Sequence, residues 1–391
     1  MRYFLLLCLL MVSAKISAQI HLSENAKVSI ITCAPDQNEL YAAFGHSAIR
    51  VYDPENNIDY AYNYGTFDFN QPNFYLNFTK GNLLYRLAVQ SYPRFRSIYL
   101  YYNRWVHEQV LDLNQNQKQQ VFDFLQWNAL PENQDYLYDY FYNNCATIIR
   151  DVFVKVLGEN IRFDDSHINT NYTIRELTDL YLKDQPWGDL GIDICLGLPM
   201  DKKASPYEYM FLPDYIEKAF DHASIMKETG PLPIVLETIV SDPDQAQVIT
   251  HSVPHPWVIF GVAMLLTIVI SFFDYKKQRP SRWLDVTMLS ITGLIGWLLL
   301  LLWIATDHKA AANNFNILWA IPTNLIAVFM LFAKRKALVT KYFGLAAALT
   351  LLVLASWPFL PQQLNVYLIP LVIALGIRYG LNYWLSKSTY E

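Results

Sequence analysis

Charge is scarce in this chain of 391 residues: 17% are Asp, Glu, Lys or Arg, and the acidic ones outnumber the basic by 35 to 30. Without a surplus of positive charge there is little to displace counterions from a phosphate backbone, which excludes a generic nucleic-acid binder. HExxH is absent, and so are paired Cys or His residues at ligand spacing, so neither a metal nor another cofactor is expected. No long internal repeat occurs. Apolar residues are what the chain has in quantity: 53% hydrophobic and 15% aromatic, with a mean hydropathy of +0.13. So aromatic a chain is not disordered.

The deficit of charge is uneven. Residues 257–385 hold 13 charges in 129 positions, whereas 19–256 hold 48 in 238. The second density is ordinary for a soluble domain and the first is not, so two chemistries are joined in one chain.

Residues 1–18 read as a secretory signal: Arg2, an apolar run from Tyr3 to Val12 too short to span a bilayer, then Ser17 and Ala18. Cys8 lies inside that run and would leave with it. An uncleaved anchor is the alternative. The tail contains five apolar spans, 257–273, 286–306, 315–333, 342–360 and 364–385, each near the roughly 20 residues a membrane helix needs. Arg378 interrupts the fifth and is expected to reach toward the headgroups. Lys276, Lys277, Arg279 and Arg282 follow the first span, and Lys334, Arg335, Lys336 and Lys341 follow the third. By the positive-inside rule these loops are cytoplasmic, which puts residues 19–256 outside, as a signal also requires. The expected layout is an extracytoplasmic domain over 19–240, a proline-containing linker over 241–256, five membrane helices and a cytoplasmic tail over 386–391.

The extracytoplasmic part begins with strand patterns at 27–33, 47–52 and 58–64, the last two joined by the turn residues Asp53-Pro54-Glu55-Asn56-Asn57. With the turn centred near Glu55, His46 falls opposite residues 63 to 65. Helical periodicity covers 116–130, and Thr173 with Glu176 forms a capping box that opens a helix over 174–182. Strands and helices mix without a βαβ rhythm, which makes the class α+β.

Cys145, Ile148, Ile149, Val152, Phe153 and Val156 recur at helical spacing, and Asn143 or Asn144 is a natural N-cap. Cys145 therefore stands in a first turn, where the helix dipole favours the thiolate nucleophile. A packed structural cysteine is the plainer alternative. Cys33, Cys145 and Cys195 remain after signal removal; an odd number in an oxidising compartment leaves one thiol free, Cys145 if the other two pair. Among seven histidines of the domain, His46 follows Gly45 at the start of a strand, and the glycine permits close approach. A Cys at a helix start and a His on a strand form a nucleophile and a base.

His on a strand followed by Asn-Cys opening a helix resembles the permuted NlpC/P60 and lecithin-retinol-acyltransferase-like branch of the papain superfamily. More closely, SIITCAPDQNELYAAFGHSAIRVYDP, YNYGTFDF, NNCATIIRD and MFLPDYI resemble the Lnb family, lipoprotein N-acyltransferases typical of Bacteroidota, over nearly the whole chain. The resemblance implies a permuted papain-like Cys–His domain fused to inner-membrane helices. It implies substrates too: an acyl lipid such as a phospholipid as donor, and diacylglyceryl lipoproteins as acceptors. His46 would deprotonate Cys145, with Asn63 or Tyr64 orienting the imidazole and Asn144 or Tyr64 helping the Cys145 N–H hold the oxyanion. The outward loop Asp307-His308, with Asn314, Asn316 and Trp319, carries a pattern shared by similar family members. Together with Arg150 it is a candidate for headgroup or peptide binding, though an ordinary polar turn with an interfacial Trp would look alike. The competing functions are a membrane-tethered cysteine peptidase or amidase acting on cell-wall peptide, and a non-enzymatic envelope scaffold.

Overall fold

The computed structural model describes residues 20–68, 70–250, 253–333 and 336–387. The expected signal 1–18, His251, the basic residues Lys334 and Arg335 and the tail beyond Lys387 lie outside the described residues. In chain order the periplasmic part forms β1 (Lys27–Cys33), β2 (His46–Asp53), β3 (Ile58–Thr66), α1 (Phe74–Lys80), β4 (Leu84–Ser91), α2 (Tyr92–Tyr101) and β5 (Val106–Leu111). There follow α3 (Gln115–Asn128), β6 (Asp135–Leu137), α4 (Cys145–Leu157), β7 (Ile161–Arg162), α5 (Ile174–Tyr181), α6 (Pro186–Cys195) and α7 (Pro213–Asp221). Strands β8 (Ser224–Lys227), β9 (Gly230–Pro233) and β10 (Val235–Ser241) complete it.

Seven strands pair antiparallel in the order β10-β5-β1-β2-β3-β4-β6. The sheet is covered on both faces, which is why β1 is buried at every residue after Lys27 instead of alternating. Val28 and Ile30 face α3 and α4 in a core with Ile49, Val51, Tyr62, Val121, Phe122, Ile149 and Phe153. Ile31 and Cys33 face the other way, against Tyr92 and Phe95 of α2. Each such Ile or Phe contributes about 1.5–3 kcal/mol of transfer free energy, so the central strands are the best anchored part of the domain. Capping boxes open four helices: Asn114 with Gln117, Asn144 with Thr147, Thr173 with Glu176, and Ser205 with Glu208 before the short helix Pro206–Tyr209.

The tail forms α8 (Pro256–Lys277), α9 (Arg282–Ile304), α10 (Asn324–Met330), α11 (Lys336–Ser356) and α12 (Ile369–Lys387). Among the described residues, four helices are long and apolar enough to cross a membrane. The third expected span is not a continuous helix. It begins as a 3-10 turn at Phe315–Leu318 and becomes α-helical only at Asn324–Met330. Pro322 sits in the break, where it removes an N–H and obstructs the preceding turn. Irregular backbone at this depth needs protein around it, and the glycines of α9 provide the room. A Cβ on Gly296 would lie 2.0 Å from the Ala320 carbonyl oxygen, and one on Gly293 would lie 2.7 Å from the Leu325 nitrogen. The polar start of α10 is satisfied as well: Asn324 donates to Thr292 and Tyr379 at 2.8 Å each and accepts from Tyr342.

Arg378 does not reach for headgroups. It is buried between the cytoplasmic ends of α8 and α9, paired with Asp274 at 2.7 Å and Asp285 at 2.8 Å. A carboxylate on each neighbouring helix makes an inward route cheaper than exposing a guanidinium to lipid.

Candidate active site

His46 opens β2 and lies beside Gly65 of β3. The β2–β3 register, Arg50 with Ala61 and Val51 with Tyr60, runs as far as Ile49 with Tyr62, and beyond it Gly65 lies against the imidazole. Side chains alternate across a strand, so His46 shares a face with residues 61, 63 and 65 and not with Tyr64. The imidazole Nε2–H donates to Asn63 Oδ1 at 2.6 Å. That leaves Nδ1 to serve the thiol of Cys145, whose charge interacts with that of the ring. Tyr99 stacks on the imidazole at 6.3 Å between centroids and 11° between planes, and Phe95 packs beside it at 6.4 Å.

Cys145 is the first residue of α4. Asn144 caps the helix by accepting from Thr147 N–H at 2.9 Å, while its amide donates to the carbonyls of Tyr140 and Phe211. Burial opposes ionisation of the Cys145 thiol. His46, together with the N–H groups of Ser47 and Ala146, outweighs it and holds the thiol below its ordinary value. For His46 burial opposes the charge too, but the facing Cys145 sulfur and the bond to Asn63 carry its value upward. The shifts are reciprocal, as in a thiolate–imidazolium pair. Both residues stay partly accessible.

Two glycines make the approach possible. Gly65 has φ +89°, a left-handed backbone that favours glycine, and a Cβ there would touch Cys145 Cβ at 3.6 Å and His46 Cε1 at 3.7 Å. Gly45 has φ +80°, and a Cβ there would meet the Cys33 carbonyl oxygen at 2.8 Å. The dyad opens into a cleft of about 550 Å³ lined by Phe67, Tyr85, Tyr99, Tyr138, Tyr140 and Phe211, with Arg104 as its cation. Sequence patterns do not reveal Arg104 or these rings. They come from separate segments, and no local spacing marks them.

Other expected site residues stand elsewhere. Tyr64 points into the core between sheet and helices and donates to Asn128 at 2.7 Å, so it neither orients the imidazole nor reaches an oxyanion. The amide nitrogen of Asn144 donates to the Tyr140 and Phe211 carbonyls, which removes it as an oxyanion donor. Arg150 is buried over the Tyr207 ring at 3.5 Å and donates to the Tyr207 carbonyl and to Asp151, away from the cleft.

Asn314, Asn316 and Trp319 are buried where the two domains meet, not presented to a headgroup. Asn314 donates to the Ile194 carbonyl at 2.8 Å, Asn316 to that of Asp193 at 3.3 Å, and Trp319 donates to Asn316 Oδ1 at 2.8 Å. These groups hold the C-terminal end of α6. Asp307 and His308 pack against Gly81: the Asp307 N–H donates to the Lys80 carbonyl, and His308 Nδ1 lies 2.9 Å from Thr306 Oγ1. Burial holds His308 below its ordinary value.

Cys33, Cys145 and Cys195 are all free thiols, so no Cys33–Cys195 bond singles out Cys145. Cys33 faces α2 in the sheet, whereas Cys195 ends α6 at the domain junction. Burial pushes the Cys33 thiol far up, which leaves it unreactive beside the dyad. At the junction Asp179, Asp189 and Asp193 each place an oxygen within 4.8 Å of the others, a convergence of two helices that spacing does not show. Arg175 pairs with one member of this group, Asp193 at 2.7 Å, and with Asp201 at 3.0 Å, and Asn365 donates to Asp189 and Asp193.

Residues 17–179 match the family profile of the Lnb N-terminal periplasmic domain, and residues 248–389 match that of the Lnb transmembrane domain. The chain belongs to the Lnb family. No curated protein and no solved structure matches it. Membership in Lnb points to an enzyme with a periplasmic domain and a membrane domain, the two parts described above.

Proposed function

We propose that this chain is a lipoprotein N-acyltransferase of the inner membrane, with Cys145 as nucleophile and His46 as acid–base. One observation carries the reading: Cys145 and the Asn63-bonded His46 converge beside Gly65 in one cleft, the thiol biased toward thiolate, in a domain docked on membrane helices. A His strand preceding a Cys helix, against an antiparallel sheet, supports a permuted papain-like fold. The aromatic cleft suits an acyl chain, and Arg104 suits the phosphate of a phospholipid donor.

In the first half-reaction the thiolate attacks an acyl ester of the donor lipid. The C–S bond forms, the ester C–O bond breaks, and the His46 imidazolium gives its proton to the leaving alkoxide. The Cys145 N–H, unpaired within the helix at its first position, and the Ser47 N–H at the sulfur supply donors for the oxyanion. In the second half the α-amine of a diacylglyceryl-cysteine attacks the thioester. The amide C–N bond forms, the C–S bond breaks, and the amine proton passes to His46. The acyl group moves from lipid to lipoprotein, and the dyad is restored.

The test is mass spectrometry of lipoprotein N-termini in cells whose only copy carries Cys145→Ala or His46→Ala. A free α-amine is expected in both. Intact N-acylation would overturn the reading, and altered cell-wall peptides beside intact N-acylation would favour a cysteine amidase.

A further inference from the structure

Helix α1 has the sequence Phe-Tyr-Leu-Asn-Phe-Thr-Lys, with one charge, at its last position. Tyr75 is 79% exposed, Leu76 52% and Phe78 58%, a cluster of large apolar side chains that a soluble surface rarely presents on one short helix. Seven residues are too few to hold a helix in water by propensity, so the surroundings decide its place. Gly81, left-handed at φ +79°, ends it and donates back to Asn77 and Phe78.

That glycine fixes the depth of α1. A Cβ on Gly81 would lie 3.1 Å from both the Asp307 carbonyl carbon and the His308 nitrogen, and the Asp307 N–H bonds the Lys80 carbonyl at 2.8 Å. Asp307 is three residues past Ile304, where α9 ends. Three residues of non-helical chain span at most about 10 Å, which places α1 beside the headgroup layer on the domain's side of the bilayer. The apolar side chains of α1 are therefore exposed next to lipid, not next to bulk water.

From α1 a line of rings leads to the nucleophile. Phe78 neighbours Phe74 at 6.4 Å between centroids, Phe74 neighbours Phe67 at 6.1 Å, and Phe67 neighbours Tyr85 at 5.1 Å. Tyr85 stacks on Tyr138 at 4.1 Å. Phe67, Tyr85 and Tyr138 all line the cleft that holds Cys145. We infer that α1 inserts into the adjoining lipid leaflet through Tyr75 and Leu76, and that the row Phe78–Phe74–Phe67 guides an acyl chain from that leaflet to Cys145. The role of the row rests on the acyltransferase reading; the insertion does not.

The full chain, reconstituted in vesicles of phosphatidylethanolamine and phosphatidylglycerol, separates the two. With Leu76→Cys in a Cys145→Ala background, an NBD fluorophore at position 76 should be quenched by lipid carrying a nitroxide on its acyl chain. Fluorescence unaffected by that lipid would overturn insertion. A Tyr75→Asp/Leu76→Asp variant should form the Cys145 thioester from vesicle lipid at least about tenfold more slowly, since a carboxylate resists entry into the leaflet. Its rate on the soluble ester p-nitrophenyl butyrate should match the wild type, because both substituted side chains are exposed and lie outside the cleft. Equal rates on vesicle lipid would overturn the delivery route. If the wild-type thiol is acylated by neither ester, the acyltransferase reading falls and the route with it, and the quenching result judges insertion alone.

Discussion

Among single residues, the site turns on one strand register. Asn63 and Tyr64 are neighbours in sequence and both polar enough to orient an imidazole. Strand alternation sends one to His46 and the other into the core. Tyr64→Phe is accordingly expected to keep thioester formation within about twofold while losing about 1 kcal/mol of stability from its bond to Asn128. Asn63→Ala should instead act on the pH profile. The Asn63 bond helps to raise His46, so its loss moves the alkaline limb of kcat/KM to lower pH. An unmoved limb would show that Asn63 does not act through the imidazole. In the wild type the acid limb should lie below the ordinary thiol value, because Cys145 is lowered. Gly65→Ala adds a Cβ in the left-handed region and fills the space around the pair. A loss of about 1–2 kcal/mol is expected, seen as a lower Tm, together with slower acylation.

Among the helices and strands, α4 is the one most legible in the sequence. Its apolar stripe, its Asn-Cys start and its first-turn thiol follow from a 3.6-residue period and capping chemistry. The choice of Asn144 over Asn143 as cap is not readable there. It depends on two other carbonyls, Tyr140 and Phe211, which the amide also ties. Asn144→Ala should therefore cost more than a simple cap, about 2 kcal/mol in denaturant unfolding, because it also leaves those carbonyls unpaired. The third membrane segment shows the opposite limit. Composition predicts a span, yet Pro322 and the groove over Gly293 and Gly296 convert it to a turn and a short helix.

Across the molecule, the domains are joined by buried amides. Asn314, Asn316, Gln362 and Asn365 bond the end of α6, so α6 belongs as much to the membrane part as to the periplasmic one. Asn316→Leu should loosen this joint. Transfer from membrane lipid should fall while alkylation of Cys145 by iodoacetamide keeps its rate, a split that a fault in the dyad would not produce. The carboxylates at the same junction make stability pH-dependent. Burial, with Asp193 and Asp189 nearby, pushes Asp179 up to about 8 from 3.8. For an acid whose folded value is raised, ionisation favours the unfolded chain, so a penalty grows as pH rises from about 4 to about 8. Asp179→Asn should raise Tm, more at pH 8 than at pH 5. An equal gain at both would remove Asp179 as the titrating group.

Hydropathy, loop charge, capping and glycine placement all act over a few residues. Read from the sequence, they suffice for the division into a periplasmic and a membrane part, for the orientation of the chain, and for the choice of Cys145 and His46 as a pair. They do not suffice for the contacts. That Asn63 and not Tyr64 meets His46, that Arg378 turns inward to two aspartates, and that the amides after α9 bind the other domain are decisions of the tertiary structure. Each depends on which of several equally polar or apolar groups is brought alongside by packing. That is a property of contacts between segments far apart in the chain, and no local pattern encodes it.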